Sequence, residues 1–350
     1  MKILFTGGGT MGPVTPLLAV HEALKKIDSH IESVWIGTPH GPERSVVEGA
    51  GFQFFALPVT RCPRVLSLEW LFLPFRFLAA LMKAAQIIRF EKPDVVASAG
   101  GYTAVPVVIA AKLFGVSVWV HHQDVGMTLT SRLTAPLAAR VTVAWEVNRR
   151  ALGRKARLVG NPVRKSVLSG SAARAKERFS LDENKPTIVI FGGGTGASWL
   201  NEMTSKIVER LLVKTNVIHL TGRGKKLSLL SLPNYLVKEF LKDEMSDAYA
   251  VADVIVCRAG MGTITELAAL GKAAVMIPLP PSAQVKNAAA VADACVVLDQ
   301  RSTTSEILLQ KIESLLQDSV QRQSLGQKMH HKLRTDVADE LATMVQGMAL

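Results

Sequence analysis

The chain has 350 residues, 48% hydrophobic and 20% charged, with a formal net charge of +12 at pH 7. It is too long for one typical domain and too apolar for disorder, so two substantial cores are expected. The charge is lopsided: residues 1–165 hold 20 Lys and Arg against 10 Asp and Glu, residues 166–350 hold 21 against 19, and a basic first half suits nucleic acid, an anionic membrane or a phosphorylated substrate without choosing among them.

Lys2-Ile-Leu-Phe-Thr6 reads as a buried strand and follows the first residue directly, with no charged leader or apolar core, so no signal peptide is expected. Gly7-Gly-Gly-Thr10 comes next, and a helical run starts near Pro13. The same tetrapeptide returns at Gly192–Thr195, between the strand-like run Thr187–Phe191 and a helical run from about Ala197. Glycines at such a turn let backbone approach an anion, and the following helix offers free N–H groups and its positive dipole end. The repetition predicts two phosphate-cradling, Rossmann-like halves.

Further strands are expected around Ser33–Gly37, Asp94–Ser98, Ser117–His121 and Val141–Trp145, with helices between them, which predicts a parallel sheet. Between the first and second of these runs lies the longest apolar stretch, Trp70–Met82. It is broken by Pro74 and Arg76 and falls short of the roughly 20 residues of a spanning helix, so a soluble or peripherally bound protein is expected. Arg61, Arg64, Arg76, Lys83 and Arg89 lie in or around it. Two readings stand: a face for the lipid headgroup layer, made of Trp70, Leu71, Phe72, Phe75, Arg76, Phe77 and Lys83, or a buried helix of the first core.

Gly160-Asn-Pro-Val-Arg164 suits a crossing between halves. The expected organisation is a first domain over 1–161, a second over 162–335, and a helix over 336–350 that packs back on the first. Second-half strands are expected at Thr187–Phe191, Asn216–Thr221, Val254–Cys257 and Ala274–Pro278. The peptide from Cys257 to Lys272 leaves a strand and opens a helix. Its glycines suit a pyrophosphate, and Glu266 can accept bonds from ribose hydroxyls or merely complement the helix dipole. Thr221-Gly-Arg-Gly-Lys225 adds a loop at the same sheet edge, and together these loops favour a nucleoside diphosphate. Cys62, Cys257 and Cys295 have neither pairing nor metal-ligand spacing, which points to a reducing compartment.

An ordered series of segments makes a more specific pattern: Gly7–Gly12 with Pro16–Val20, Gly100-Gly-Tyr102, His121-His-Gln-Asp124, Gly160–Arg164, Gly192–Ala197, Cys257-Arg-Ala-Gly260 with Glu266, and Gln284 with Asn287. On these the chain resembles the MurG family of peptidoglycan glycosyltransferases, glycosyltransferase family 28, over roughly residues 1–345. The resemblance implies a GT-B fold, two Rossmann-like doubly wound α/β domains with parallel sheets facing a cleft. It implies transfer of N-acetylglucosamine (GlcNAc), with inversion, from UDP-GlcNAc to the C4 hydroxyl of the MurNAc of lipid I, giving lipid II and UDP. The setting implied is the cytoplasmic face of the inner membrane, in cell-wall synthesis that supports cell shape and division. Expected partners are the anionic membrane surface and other cell-wall synthesis proteins, with no nucleic acid and no cofactor.

Carried over by position, Gly193, Gly194, Thr195 and Gly196 line the diphosphate site with Arg164 nearby. Glu266 takes the ribose, the Leu241 backbone the uracil, and Met261, Gly262 and Thr263 approach the nucleotide. Gln284 meets the donor sugar, where the family usually has two adjacent glutamines and this chain has Ala283-Gln284. Thr10, Met11, Gly12 and Asp124 complete the expected UDP-GlcNAc set. The chain departs from the family at Pro13, where a histidine is usual, and at His122 and Asp124, which replace a glutamate and an asparagine. Proline cannot act as a base. His122 and Asp124 are the candidates for accepting the acceptor's proton, Asp124 ahead of His122, although both can equally cap the strand end and the next helix.

No Asp-x-Asp sequence occurs, so no metal is expected and leaving-group charge falls to backbone N–H groups, a helix dipole and Arg164. Neither Gly-rich turn has the Gly-x-Gly-x-x-Gly pattern with an acid about 20 residues on, which argues against a nicotinamide enzyme. The altered loops at Met11–Pro13 and His121–Asp124 leave two related readings open: another polyprenyl or glycolipid acceptor, or a relative that binds UDP-sugar without turnover.

Overall fold

The computed structural model describes residues 1–59, 69–194, 196–225 and 232–349, with only the backbone at Glu69 and Trp70. The described chain divides into two compact units, Met1–Arg164 with Asp336–Leu350, and Lys165–Thr335. Thr195, Cys62, Arg61, Arg64 and the Trp70 side chain, singled out above, lie outside the described residues.

The first unit holds strands β1 (Lys2–Thr6), β2 (Glu32–Gly37), β3 (Gln53–Ala56), β4 (Val95–Ser98), β5 (Ser117–His122), β6 (Arg140–Val143) and β7 (Ala156–Leu158). They form one parallel sheet in the order β3-β2-β1-β4-β5-β6-β7. Helices cover both faces, so inner strands are apolar on both sides. In β1, Ile3 and Phe5 enter one core while Leu4 enters the other. Trp35 stacks on Phe5 with centroids 6.0 Å apart and donates from Nε1 to the Gly7 carbonyl at 2.9 Å, which ties the glycine-rich loop to the core.

The helix Ala338–Gln346 belongs to this first unit. Val337, Leu341, Ala342 and Val345 join Leu17, Val20 and Leu24 of the helix Thr15–Ile27 in one core, and Glu340 pairs with Arg157 at 2.6 Å. The apolar stretch expected to end at Met82 instead continues as one helix, Glu69–Glu91, with Pro74 inside it. By length and composition Leu71–Glu91 reaches the size of a membrane span, with mean hydropathy 1.6, which corrects the shorter estimate. Its second half is committed to the domain core through Ala80, Ala84, Ile87 and Ile88.

The second unit holds β8 (Thr187–Phe191), β9 (Asn216–Leu220), β10 (Tyr235–Lys238), β11 (Val254–Cys257), β12 (Ala274–Met276) and β13 (Val296–Val297). They are again all parallel, in the order β10-β9-β8-β11-β12-β13. In each sheet the strand preceding the Gly-Gly-Gly-Thr sequence, β1 or β8, lies where strand order reverses. That is where open α/β sheets bind ligands. Four strands escaped the sequence reading: β3, β7, β10 and β13. All four are sheet edges, half covered or exposed along most of their length, so none carries the unbroken apolar run of a strand buried on both faces.

Asp247, 1% exposed at its side chain, joins two helices of the second unit. It accepts from Arg174 Nε at 2.8 Å, Arg178 Nη1 at 3.2 Å and the Ser171 N–H at 2.9 Å. Asp247→Ala leaves these donors without their acceptor and is expected to cost the second unit about 2 kcal/mol, discounted because both arginines are half exposed; hydrogen exchange of β8 and β11 measures it, and unchanged protection would refute it. Four histidines, His21, His121, His122 and His219, are buried, and burial lowers each from 6.5 to about 4. The unfolded chain therefore takes up protons that the folded protein refuses. Their contribution to stability is complete above pH 6.5 and declines as pH falls toward 4. Denaturant titrations at pH 7, 6 and 5 are expected to show falling stability, and a flat profile would contradict this.

Candidate active site

At the carboxyl edge of the first sheet, the loops after β1, β4 and β5 pack together. Gly9, Gly100 and Gly101 have φ of +80°, +101° and +83°. A Cβ on Gly101 would lie 2.9 Å from the Gly8 carbonyl oxygen, and one on Gly9 would overlap the Tyr102 ring, so side chains are excluded there. Pro13 is buried and fills the space between two of these loops: a Cβ on Gly7 would meet Pro13 Cβ at 3.1 Å, and one on Gly101 would meet Pro13 Cγ at 3.4 Å. Thr10, Met11 and Gly12 are half-buried beside it, and Met11 turns the chain into the helix by accepting from the Val14 and Thr15 N–H groups.

This first loop differs from the phosphate cradle expected of it. Glu43, wholly buried, reaches into it and accepts from the Gly9 N–H at 3.2 Å with Oε2. Its Oε1 takes the Thr38 N–H at 2.7 Å and the Thr38 hydroxyl. A protein carboxylate thus engages the donor that a phosphate would use. The sequence reading missed Glu43 because it lies 34 residues from Gly9, in the helix Glu43–Gly49.

After β5, His121 is committed through both ring nitrogens, to Thr142 Oγ1 at 2.9 Å and Asn161 Oδ1 at 2.8 Å. His122 and Gln123 are each 4% exposed, and His122 Nε2 and Gln123 Oε1 have no protein partner among the described residues. Burial first, and the His121 charge second, hold His122 at about 4, so it is neutral at pH 7. Asp124 is half-buried. Asn148 clamps its turn by donating from Nδ2 to the Asp124 carbonyl at 2.7 Å and accepting the Gly126 N–H at 2.8 Å. Asn148, wholly buried, was also missed. Neither His122 nor Asp124 serves as a helix side-chain cap: Thr128 caps the next helix, Leu129–Thr134. Arg164 closes the unit with a buried Nε that has no partner among the described residues.

In the second unit, Gly193 and Gly196 have φ of +85° and +67°. A Cβ on Gly192 would overlap Ala197 and one on Gly196 the Thr221 carbonyl. The loop closes by Gly196 N–H donating to the Gly193 carbonyl at 2.9 Å. The helices leaving the central strands β8 and β11, Ser198–Leu212 and Met261–Leu270, begin at Ala197 and Gly260 without a side-chain cap. Ser171, Ser282, Thr304 and Asp318 each cap the helix they precede. Uncapped N–H groups and dipole ends at the two helices of the switch point suit a diphosphate.

Met261 is buried at that helix start, Gly262 and Thr263 are half-buried, and Glu266 follows one turn later. Tyr249, missed by the sequence reading, donates to Glu266 Oε2 at 2.6 Å. Arg258, quoted above only as part of a motif, is 5% exposed. It donates from Nη1 to the Ile277 carbonyl at 3.0 Å and lies 5.7 Å above the Trp199 ring, joining the loops after β8, β11 and β12. Burial lowers its pKa. Leu241 is buried and is flanked by an open depression of ≈ 560 Å³ lined by Arg223, Glu239, Phe240, Lys242, Asp243 and Glu244. Gln284 spends Oε1 on the Leu279 N–H at 2.9 Å, and Asn287 donates to the Ala259 carbonyl at 3.3 Å.

Comparison with known proteins agrees with this geometry. Residues 3–143 match the glycosyltransferase family 28 N-terminal domain and residues 187–341 the glycosyltransferase family 28 C-terminal domain. The UDP-N-acetylglucosamine--N-acetylmuramyl-(pentapeptide) pyrophosphoryl-undecaprenol N-acetylglucosamine transferase of Clostridium botulinum is 34% identical over 325 residues, 91% of each chain. Its namesake in Clostridium perfringens is 34% identical over 322 residues, 90% of each. The crystal structure of Acinetobacter baumannii MurG superposes with a TM-score of 0.72 at 26% identity over 99% of both chains. The Neisseria meningitidis UDP-GlcNAc 2-epimerase, at 13% identity and a TM-score of 0.73 over 99% of both, shares the fold. Two doubly wound parallel sheets, both family 28 domains and relatives matched over nine-tenths of their length lead to one statement: the chain belongs to glycosyltransferase family 28, and within it to the MurG family of GT-B hexosyltransferases.

Proposed function

We propose that the chain transfers GlcNAc from UDP-GlcNAc to the C4 hydroxyl of the MurNAc of lipid I, producing lipid II for peptidoglycan. The observation that carries the donor half is the pair of uncapped helix starts beside the Gly192–Ala197 loop, in a chain whose curated relatives are named for this transfer. Within the second unit the diphosphate rests on Gly193, Gly194, Gly196 and Met261–Thr263. Glu266 takes the ribose, the Leu241 backbone the uracil, and Gln284 the sugar. Fixed N–H dipoles stabilise the charge that develops on departing UDP without a metal ion.

On the acceptor side, with Thr10–Gly12 nearby, Asp124 is the proton acceptor of choice. His122 is 4% exposed and so is largely withheld from an incoming hydroxyl. Asp124 sits half-buried on a turn fixed by Asn148. Pro13, which cannot take a proton, serves packing instead.

The same reading places the protein peripherally at the cytoplasmic face of the inner membrane. Leu71, Phe72, Phe75, Phe77 and Leu78 are exposed, Phe75 by 73%, and Arg76 and Lys83 are exposed on the same helix. Apolar rings in the headgroup layer, with about 1 kcal/mol from each adjacent base on an anionic surface, suffice for reversible docking.

UDP release from UDP-GlcNAc in EDTA is expected only when a short-chain lipid I analogue is present; a strict divalent requirement, or release that ignores the acceptor, would overturn the assignment. In that assay Asp124→Asn is expected to lower kcat about 10²-fold or more with KM for UDP-GlcNAc little changed, and His122→Ala to cost less. Undiminished turnover in both would remove the proton-acceptor role. The double variant Phe72→Glu with Phe75→Glu is expected to stop co-sedimentation with phosphatidylglycerol vesicles while sparing turnover of the short-chain acceptor, and retained sedimentation would refute the docking face.

A further inference from the structure

Glu266 stands half-buried in the helix Met261–Leu270, and Tyr249 donates to its Oε2 at 2.6 Å. The phenol is 1% exposed and set from two directions. Its ring packs edge-on against Phe191, the last residue of β8, with centroids 5.9 Å apart. Its helix, Met245–Val251, carries Asp247, which is clamped by Arg174, Arg178 and the Ser171 N–H. The donor therefore stays in place while the carboxylate takes its orientation from it. A glutamate has several rotatable bonds, and fixing one oxygen beforehand removes conformations that ligand binding would otherwise have to freeze. A carboxylate oxygen that already holds one donor keeps a further lone pair with which to accept.

We propose that Tyr249 is a positioning residue for nucleotide recognition: by holding Glu266 Oε2 it orients the carboxylate toward the ribose hydroxyls and thereby sets the preference for ribonucleoside over deoxyribonucleoside diphosphates. This rests on the reading of Glu266 as the ribose ligand. Tyr249 acts on the ligand only through Glu266, so its loss changes selectivity for the hydroxyls and leaves the diphosphate contacts alone.

The test is calorimetric binding of UDP and of 2′,3′-dideoxyuridine diphosphate to the full chain. Wild type is expected to favour UDP by at least about tenfold, Glu266→Gln to bring the ratio near one, and Tyr249→Phe to cut the ratio severalfold with dideoxy affinity unchanged. An unchanged ratio in Tyr249→Phe, or equal weakening of both nucleotides, overturns the proposal while the ribose reading survives on the Glu266→Gln result. A ratio insensitive to Glu266→Gln overturns both. A second measurement reads the wild type directly: the chain has three tyrosines, and with a ¹³Cζ-tyrosine label the Tyr249 resonance is the one missing from Tyr249→Phe. Its resonance is expected to move with UDP and not with the dideoxy analogue, and an identical response to both would again overturn the proposal.

Discussion

In both units the functional loops sit where a parallel sheet reverses its strand order, beside β1 in one and β8 in the other. Neighbouring crossovers leave such a point in opposite directions, and the gap beyond the strand ends is lined by backbone. Only residues without a side chain fit where two loops meet there. Gly101 against Gly8 and Gly196 against Thr221 are cases of backbone meeting backbone, and the φ angles of +83° and +67° make the same demand independently. The need for bare backbone at the switch point explains why the glycines stand where they do and why helices start beside them.

One tetrapeptide nevertheless has two outcomes. In both units the helix starts at the switch point carry no capping side chain. In the first, Glu43 supplies the anion from within and binds Gly9 and Thr38 together. A buried carboxylate with three donors is well satisfied, so nothing about it calls for a ligand. The two halves are similar in architecture and differ in what meets the glycine-rich loop, a buried carboxylate in the first alone.

The helix Glu69–Glu91 shows a comparable division within one element. Its later turns bury Ala80, Ala84, Ile87 and Ile88 against the sheet, while its earlier turns expose Leu71, Phe72, Phe75 and Leu78. Isolated exposed apolar residues are ordinary on protein surfaces, but a contiguous row of large ones flanked by arginine and lysine is the composition of an interfacial helix. The small residues face inward because the neighbouring helix Ala104–Leu113 packs close in the same core.

The amino-acid sequence by itself determined the class of each unit, the central strands and the place of both glycine-rich loops, because strands buried on two faces and turns that require glycine each leave a local mark. It also carried the family, through segments whose order and spacing resemble known members. It left no mark for the edge strands β3, β7, β10 and β13, which are short and covered on one side at most. Glu43, Asn148 and Tyr249 were equally invisible, since their roles depend on partners 34, 24 and 17 residues away. Only tertiary packing decides which buried donor meets which carboxylate: a hydrogen bond depends on distances of a few tenths of an ångström, and hydrophobic periodicity fixes a face without fixing that geometry.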